Sequence, residues 1–442
     1  MPIKTLLFAA GFLLCAGGAV FDPIFGMIGY MLHYNIGPER QWWHAPLRPL
    51  GIRYSFILGL LTAVGIAVNW RRMREGFRGV LVGHEKLMLL FLGIVWLSVL
   101  IGEETVGRYT TVDHPSVKLT KLILATLMMT HIATRIRRLD ALLWVTIISA
   151  LILGLQAYTT PRRAFTHGRL ESIGGAGFTS ANGLGAYLAA VMPIIGVMFM
   201  RSRWPAKFLC AAAGVFAMNA IVLTRSRSAT VALGIGALVM ASGAPRRYRA
   251  RIIVGLLVAG LGFLYLSDPQ FIDRAKTIFG SQGELDASNE VRVELWRQGI
   301  RIIRDKPWGI GAGNFHQAIA RRAPDLPARD AHNTYIRCGA ELGLHGLAVW
   351  LAIIANALLV LRRGARRAVE MADEPRKHVQ WTAIALGASV LSLSAFGLTG
   401  TLLYFEAFWW LLAMPVCLQR ALDNARSDMP TSLAEKPLTS SA

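Results

Sequence analysis

The most constraining feature of the sequence is a series of long apolar blocks joined by short polar or charged connections. Many of them approach or reach the roughly 17–25 residues that a helix needs to cross a bilayer. The clearest blocks lie at 56–69, 87–101, 117–134, 142–158, 184–200, 208–223, 229–240, 252–266, 342–361 and 383–410. The sequence therefore predicts an all-α polytopic membrane protein with about 12 transmembrane helices.

The amount and the distribution of charge support this fold class and argue against a soluble protein and against a nucleic-acid-binding protein. Only 17% of residues are charged, 54% are hydrophobic and the mean hydropathy is +0.45, which is too apolar for a soluble chain of this length. A net charge of +21 would be compatible with nucleic-acid binding. The basic residues, however, cluster in alternate short loops, at 71–78, 135–138, 201–207, 246–251 and 362–367. This positive-inside pattern predicts five cytoplasmic loops, with membrane lipids and no nucleic acid as partners.

These loops suggest an order of segments along the chain. About nine transmembrane helices are expected in residues 1–267, and about three more in residues 332–420. Between helices 9 and 10, residues 268–331 form one large external loop, and residues 421–442 read as a disordered cytoplasmic tail. The first helix is predicted to run outward within residues 3–20, which places both termini in the cytoplasm. The short apolar piece FGMIGYML leaves open whether the first segment is one helix or a hairpin.

Residues 268–329 of the external loop carry 10 Lys and Arg against 8 Asp and Glu, so we expect the loop to be folded. Its segment VRVELWRQGIRIIRD, residues 291–305, has the period of an amphipathic helix. The predicted apolar face consists of Val293, Trp296, Ile300 and Ile303. Ser288 or Asn289 is a candidate cap. A Pro/Gly turn at 306–314 and a short helix at 315–323 follow.

Polar groups at the external ends of the helices are the candidates for chemistry. Arg225 and Arg227 lie where one helix ends and the next begins; they are either snorkelling side chains or an anion site. Arg169 and Asn182 lie in a glycine-containing stretch that ends at a helix N-terminus, which is itself suited to phosphate. His332 lies at the water–membrane boundary, where an imidazole is suited to act as a general base.

The order and spacing of these residues resemble a known family. His332-Asn333, followed after nine residues by Gly343-x-x-Gly346, resembles the signature of the O-antigen ligase and O-antigen polymerase superfamily. The same holds for Arg292-x-x-x-Trp296 with the following DKPWGIGAGNF, for TRSRSA at 224–229 and for Asn182-x-Leu-Gly. The resemblance covers roughly residues 165–365.

The resemblance implies a glycosyltransferase with a GT-C-like fold in the bacterial inner membrane, with a periplasmic active site. Its donor would be a glycan on undecaprenyl pyrophosphate, and its acceptor a sugar hydroxyl of lipid A–core. Carried over to matching positions, the catalytic residues are Arg227, Arg292 and His332. The residues expected to bind substrate are Arg169, Arg225, Asn182, Asn333, Trp296 and Arg329.

The implied reaction is an inverting transfer without a metal or another cofactor. Two arginines would stabilise the pyrophosphate leaving group, and His332 would deprotonate the acceptor or bind phosphate as imidazolium. The chain has no DxD motif, and Asp330-x-His332 offers too few metal ligands. Alternatives are an O-antigen polymerase, a protein O-oligosaccharyltransferase and, outside the enzymes, a glycolipid transporter. The sugars and the oligomeric state stay open.

Overall fold

The computed structural model of the protein describes residues 2–74, 81–102, 114–267, 271, 287–326 and 330–427. Within these ranges every regular element is helical, apart from one isolated bridge between Thr166 and Arg169. The protein is an all-α polytopic membrane protein, as the apolar blocks predict.

The helices follow one another with short connections. They are α1 (Ile3–Phe21), α2 (Pro23–Ile36), α3 (Tyr54–Val68), α4 (Trp70–Arg74), α5 (Gly83–Ile101), α6 (Pro115–Ile132), α7 (Ile136–Thr159), α8 (Ala181–Arg201), α9 (Ala206–Thr224), α10 (Arg227–Gly243), α11 (Arg246–Leu266), α12 (Ala287–Asp305), α13 (Phe315–Arg322), α14 (Thr334–Arg367), α15 (Asp373–Phe396) and α16 (Glu406–Ser427). A 3₁₀ segment, Trp42–Leu50, precedes α3.

The predicted count of about 12 spans is not confirmed. Among the described residues, 8 helices are long and apolar enough to cross a membrane, or up to 9 if Trp42–Leu50 and α3 form one bent span. Helix α10 is apolar, but its 17 residues make it shorter than these 8 helices. Helix α2 has only 14 residues. The apolar blocks of the sequence thus include helices whose length alone does not identify them as spans.

Successive helices run between two ends of the bundle. The basic end holds the loops at 135–138, 201–207, 246–251 and 362–367, and its contacts include Asn424 donating to the Thr134 carbonyl. The opposite end, called the site end below, holds residues 160–180, the α9–α10 turn and residues 330–333. There the Leu170 amide donates to the Leu223 carbonyl.

The first two helices form a hairpin, and this reverses the predicted direction of α1. Asp22 caps α2 by accepting from the Ile24 amide, and it pairs with Arg138 at 2.9 Å, which places the hairpin turn at the basic end. Thr5, in the first turn of α1, donates to the Trp43 carbonyl at the site end. The start of α1 and the end of α16 therefore lie at opposite ends of the bundle, and the prediction that both termini are cytoplasmic does not fit this arrangement of the described residues.

Two helices, α8 and α15, form the centre of the bundle. Within the apolar windows of these helices, 72% of residues are buried inside the protein. Small residues permit this close packing: a Cβ on Gly185 of α8 would lie 2.8 Å from the side chains of Thr224 and Ala229, at the α9–α10 turn. In contrast, only 6% of the α11 window is buried, so α11 presents its apolar surface to lipid.

The segment predicted to be the external loop contains α12 and α13, close to the predicted positions, but the predicted apolar face of α12 is wrong in part. Val293 and Ile300 are exposed, whereas Leu295 and Ile302 are fully buried. The buried stripe also includes Gln298 and Gly299, which a hydrophobic pattern does not register. The candidate cap residues 288 and 289 have side chains outside the described ones.

Gly299 is a packing position and not an interruption. A Cβ at this glycine would lie 2.4 Å from Cγ2 of Ile336 and 3.3 Å from the ring of Phe315. The absence of a side chain therefore lets α12 approach α14 and α13 closely.

Helix α14 is broken at Gly343, which has φ 74° and ψ 178°. The turn at 306–314 packs into the break. There the Ile310 and Gly311 amides donate to the carbonyls of Ala340 and Glu341, each at 2.9 Å, and the Leu344 amide donates to the Pro307 carbonyl. The turn thus pairs backbone groups that the break releases, as buried backbone requires. Gly343 therefore has no side chain at the point where the turn approaches α14, and a Cβ there would lie 2.6 Å from the backbone of Pro307 and Trp308.

The last helix extends beyond residue 421, where the tail was predicted to start. Ala421 and Leu422 are buried, so α16 continues to Ser427.

Candidate active site

The α9–α10 turn is held by a hydrogen-bond network around the guanidinium of Arg169. Arg169 donates to the Thr224 carbonyl at 2.9 Å and to Oδ1 of Asn182 at 2.7 Å. The hydroxyl of Ser226 donates to the same Asn182 oxygen at 2.8 Å. Ser226 also caps α10 by accepting from the Ala229 amide. The network fixes the turn on which Arg227 is the first helical residue, so Arg169 and Asn182 act here as positioning groups.

Arg292 of α12 lies near enough to Arg227 for the two charges to interact. Burial, together with the positive charge of Arg227, lowers the pKa of Arg292 from its ordinary value. Two partly buried guanidinium groups within electrostatic reach of each other repel, and an anion bound near both would relieve this repulsion. The pair is therefore suited to hold phosphate oxygens.

Helix α12 is also tied to the segment that carries His332. Nε1 of Trp296, one turn after Arg292, donates to the carbonyl of Ala331 at 2.8 Å. Trp296 is half-buried and its polar atom is used in this contact, so it positions the His332 segment relative to the arginines. The structure thereby links Arg227, Arg292 and the backbone next to His332 in one region of the site end.

His332 has a left-handed backbone with φ 47°. This conformation is uncommon for a residue with a side chain and often occurs at functional positions. Within the described ranges, the other non-glycine residues with positive φ are His167, Ser172 and Arg225. All of them lie at the site end, so the strained backbone is concentrated where the candidate residues are.

Asn333 is the cap of α14. Its Oδ1 accepts from the amides of Tyr335 and Ile336, at 3.0 and 3.1 Å, and its Nδ2 donates to the Leu398 carbonyl at 3.0 Å. These bonds use both ends of a buried amide. Asn333 was predicted to bind substrate; in the structure its side chain caps α14 and fixes the backbone directly after His332.

A buried charge cluster behind His332 was missed in the sequence. Arg337 pairs with Asp330 at 3.1 Å and with the fully buried Glu341 at 2.9 Å. Glu341 also accepts from the Tyr404 hydroxyl and the Phe315 amide. The signal was available, because Arg337 and Glu341 stand four residues apart in an otherwise apolar helix.

The charges of this cluster also reach His332. Burial alone would raise the pKa of Asp330, but the positive charge of Arg337, with smaller contributions from His332 and His316, holds it below the ordinary value. Asp330 is therefore ionised at neutral pH and faces His332.

Arg225 and Arg329 are the two remaining candidates. Arg225 follows the last residue of α9, has φ 47° and is half-buried beside the hydrogen-bond network of the α9–α10 turn. Arg329 lies outside the described residues. In the part of the chain that the structure describes, no three His, Cys, Asp or Glu side chains are grouped closely enough to hold a metal ion.

The segment from α9 to the middle of α14 matches a known family. Residues 212–351, about a third of the chain, fit the sequence model described as O-antigen ligase. This segment is similar to the O-antigen ligase/polymerase superfamily, a glycosyltransferase-like superfamily, and is called the superfamily segment below. The chain that carries it is a polytopic membrane protein. None of the curated proteins compared with the chain matches it.

The superfamily segment contains most of the candidate site. It includes Arg227, Arg292, Trp296 and His332, together with both ion-pair partners of Arg337. Arg169 and Asn182 lie outside it and join the site through their contacts with the α9–α10 turn.

Proposed function

We propose that the protein transfers an O-antigen glycan from undecaprenyl pyrophosphate to a sugar hydroxyl of lipid A–core. In this proposal it acts in the bacterial inner membrane, with the site end in the periplasm. The observation that carries the proposal is the charge interaction between Arg227 and Arg292, both of which lie in the superfamily segment. Helix α12, which carries Arg292, is hydrogen-bonded through Trp296 to the carbonyl of Ala331, next to His332.

The two arginines are assigned to the leaving group. As the bond between the sugar C1 and the phosphate oxygen breaks, negative charge develops on the pyrophosphate. Guanidinium groups already fixed beside each other stabilise this charge without reorganising during the reaction. Arg169 and Asn182 support Arg227 through the hydrogen bonds of the turn.

His332 is assigned to the acceptor side. In a direct displacement, the acceptor oxygen attacks C1 from the face opposite the pyrophosphate, so the anomeric configuration is inverted. His332 takes the hydroxyl proton as the C–O bond forms, and the adjacent Asp330 carboxylate stabilises the resulting imidazolium. Asn333 and Trp296 fix the backbone on either side of this residue.

The test is a lipopolysaccharide gel from a deletion strain complemented with variants. The deletion is expected to remove all O-antigen-capped chains. Core carrying a single repeat unit would instead identify a polymerase, and unchanged lipopolysaccharide would point to a protein acceptor.

His332→Ala is expected to abolish capping at normal expression. His332→Asn is a second variant, because asparagine tolerates the left-handed backbone that alanine disfavours. The control is His345→Ala, a half-buried histidine of α14 beyond the Gly343 break. Normal ladders with folded His332→Asn would overturn the assignment of His332.

A further inference from the structure

A second polar region lies at the basic end, away from the candidate active site. A cavity of about 950 Å³ opens between the start of α7, the end of α8 and the start of α15. A cavity of this size is large enough for a small ligand or a lipid headgroup. The described residues of the proposed reaction all lie at the other end of the bundle, so this cavity has no part in that proposal.

The floor of the cavity is a fixed arginine. Arg201 donates to Oγ1 of Thr382 at 2.8 Å and to the Asp140 carboxylate at 3.2 and 3.3 Å, and it lies 2.6 Å from Nδ1 of His378. Its side chain is only 15% exposed. These contacts hold the guanidinium in one orientation, which reduces the entropy lost when an anion binds.

The rim of the cavity is basic. Arg137 and Lys377 line it together with Arg201, against the carboxylates of Asp140 and Glu374, so cations outnumber anions by three to two before His378 is counted. Three of the predicted cytoplasmic loops, 135–138, 201–207 and 246–251, contribute to its lining. The ion pair of Lys377 with Glu374 is largely exposed and is therefore weak enough to be exchanged for another anion.

One wall of the cavity is aromatic and apolar. It includes Trp144, Tyr248, Trp381 and the buried Met198. The rings of Tyr248 and Trp381 pack edge to face, with centroids 5.6 Å apart. Tryptophan and tyrosine are typical of the membrane interface. A free phosphate ion would need the cations but not this wall, whereas a phospholipid presents a phosphate and an apolar glycerol–acyl region together.

We propose that this cavity binds the phosphate of an anionic phospholipid from the leaflet at the basic end. In this arrangement, Arg137 and Lys377 contact the phosphate above the fixed Arg201, and the acyl ester region lies against Trp144 and Trp381. Basic pockets between transmembrane helices on the cytoplasmic side are suited to anionic headgroups.

The test is native mass spectrometry of the delipidated full-length protein with phosphatidylglycerol or phosphatidylcholine. Phosphatidylglycerol is expected to bind and phosphatidylcholine not to bind. Arg137→Gln/Lys377→Gln should weaken phosphatidylglycerol binding roughly thirtyfold, since each of the two cations near the surface contributes about 1 kcal/mol. The matched control, Arg362→Gln/Arg366→Gln, removes two exposed charges from the same end outside the cavity and should change binding less than twofold.

Three results would overturn the proposal. Equal binding of both lipids would exclude recognition of the anionic headgroup. Equal loss in the cavity variant and the control would indicate general attraction to the basic end. Displacement of the lipid by an equal concentration of inorganic phosphate would identify a free-anion site. If the double variant does not fold, Lys377→Gln alone serves, because its ion-pair partners Asp373 and Glu374 are exposed.

Discussion

The arginines at the two ends of the bundle differ in the groups that face them. At the basic end, Arg420 pairs with Glu85 at 2.7 Å and Arg201 with Asp140 at 3.2 Å. At the site end, by contrast, the nearby positive charge of Arg227 acts on Arg292 and lowers its pKa. The first arrangement pairs opposite charges, and the second brings two like charges within reach of each other. The number of arginines alone therefore does not identify a candidate site, whereas like charges held close to each other do.

The largest effect is expected from breaking the like-charged pair. Arg292→Gln should reduce glycan transfer by about 10²–10³-fold, since one fixed donor to the developing charge is lost. Folding should be unchanged, because the substitution also removes repulsion with Arg227. The measurement is transfer in isolated membranes, normalised to folded protein by fluorescence size-exclusion chromatography. The matched control is Arg297→Gln, whose side chain is 66% exposed on the same helix; a similar loss in that variant would contradict the assignment.

The opposite outcome is expected when a charge pair at the basic end is broken. Glu85 is fully buried and also accepts from Thr130, so Glu85→Gln leaves Arg420 buried without its counter-charge. The expected cost in folding free energy is about 3–5 kcal/mol. Thermal aggregation in detergent measures it, and transfer per folded molecule should stay within about twofold.

A surface pair provides the control for this loss of stability. Asp423→Asn removes the partner of Arg367 from a largely exposed pair and should cost at most about 1 kcal/mol. If Glu85→Gln melts at the same temperature as Asp423→Asn, the buried pair does not stabilise the fold as proposed.

A smaller effect is expected at the ion cluster behind His332, which is the exception at the site end. Asp330→Asn removes one carboxylate from Arg337 and should lower the folding free energy by about 1.5–3 kcal/mol at pH 7. Because the folded pKa of Asp330 is lowered, its stabilising contribution is complete above the ordinary value, about 3.9, and is lost as the pH falls through the folded pKa.

The melting difference between Asp330→Asn and the wild type should therefore be equal at pH 7 and pH 5 and shrink at pH 3. Asp325→Asn changes an exposed residue shortly after α13 and should show no melting difference from the wild type at any of these three pH values. A difference that grows as the pH falls would contradict the lowered pKa.

The sequence predicts the parts of this fold that depend on local pattern. Apolar length identifies the helical membrane class, and helical period places α12 and α13 within a few residues. The hairpin of α1 and α2 carried local signals as well, in Asp22 as a cap and Pro23 at the first helical position. The hairpin nevertheless stayed one of two alternatives, because α2, with 14 residues, is shorter than an ordinary span.

The remaining features depend on contacts between distant residues. The break at Gly343 is stabilised by residues 307–311, more than 30 residues away in the sequence, so the local sequence does not predict it. The buried face of α12 includes Gly299, whose neighbours come from α13 and α14. The candidate site residues were predicted from their positions at helix ends and from the resemblance, but the interaction of Arg227 with Arg292 depends on the tertiary fold.

The smallest effect is expected from removing divalent cations. This experiment distinguishes stabilisation of the leaving group by the arginines from stabilisation by a metal ion. If Arg227 and Arg292 supply the positive charge for the leaving group, washing membranes with EDTA should leave transfer within about twofold. A divalent cation would use the same phosphate oxygens as the arginines, so the two mechanisms predict different responses. Loss of transfer in EDTA, restored by Mg²⁺ or Mn²⁺, would show that the arginines are not sufficient. The Arg292→Gln variant completes the test, because added Mg²⁺ should not rescue it if fixed guanidinium geometry, and not charge alone, stabilises the transition state.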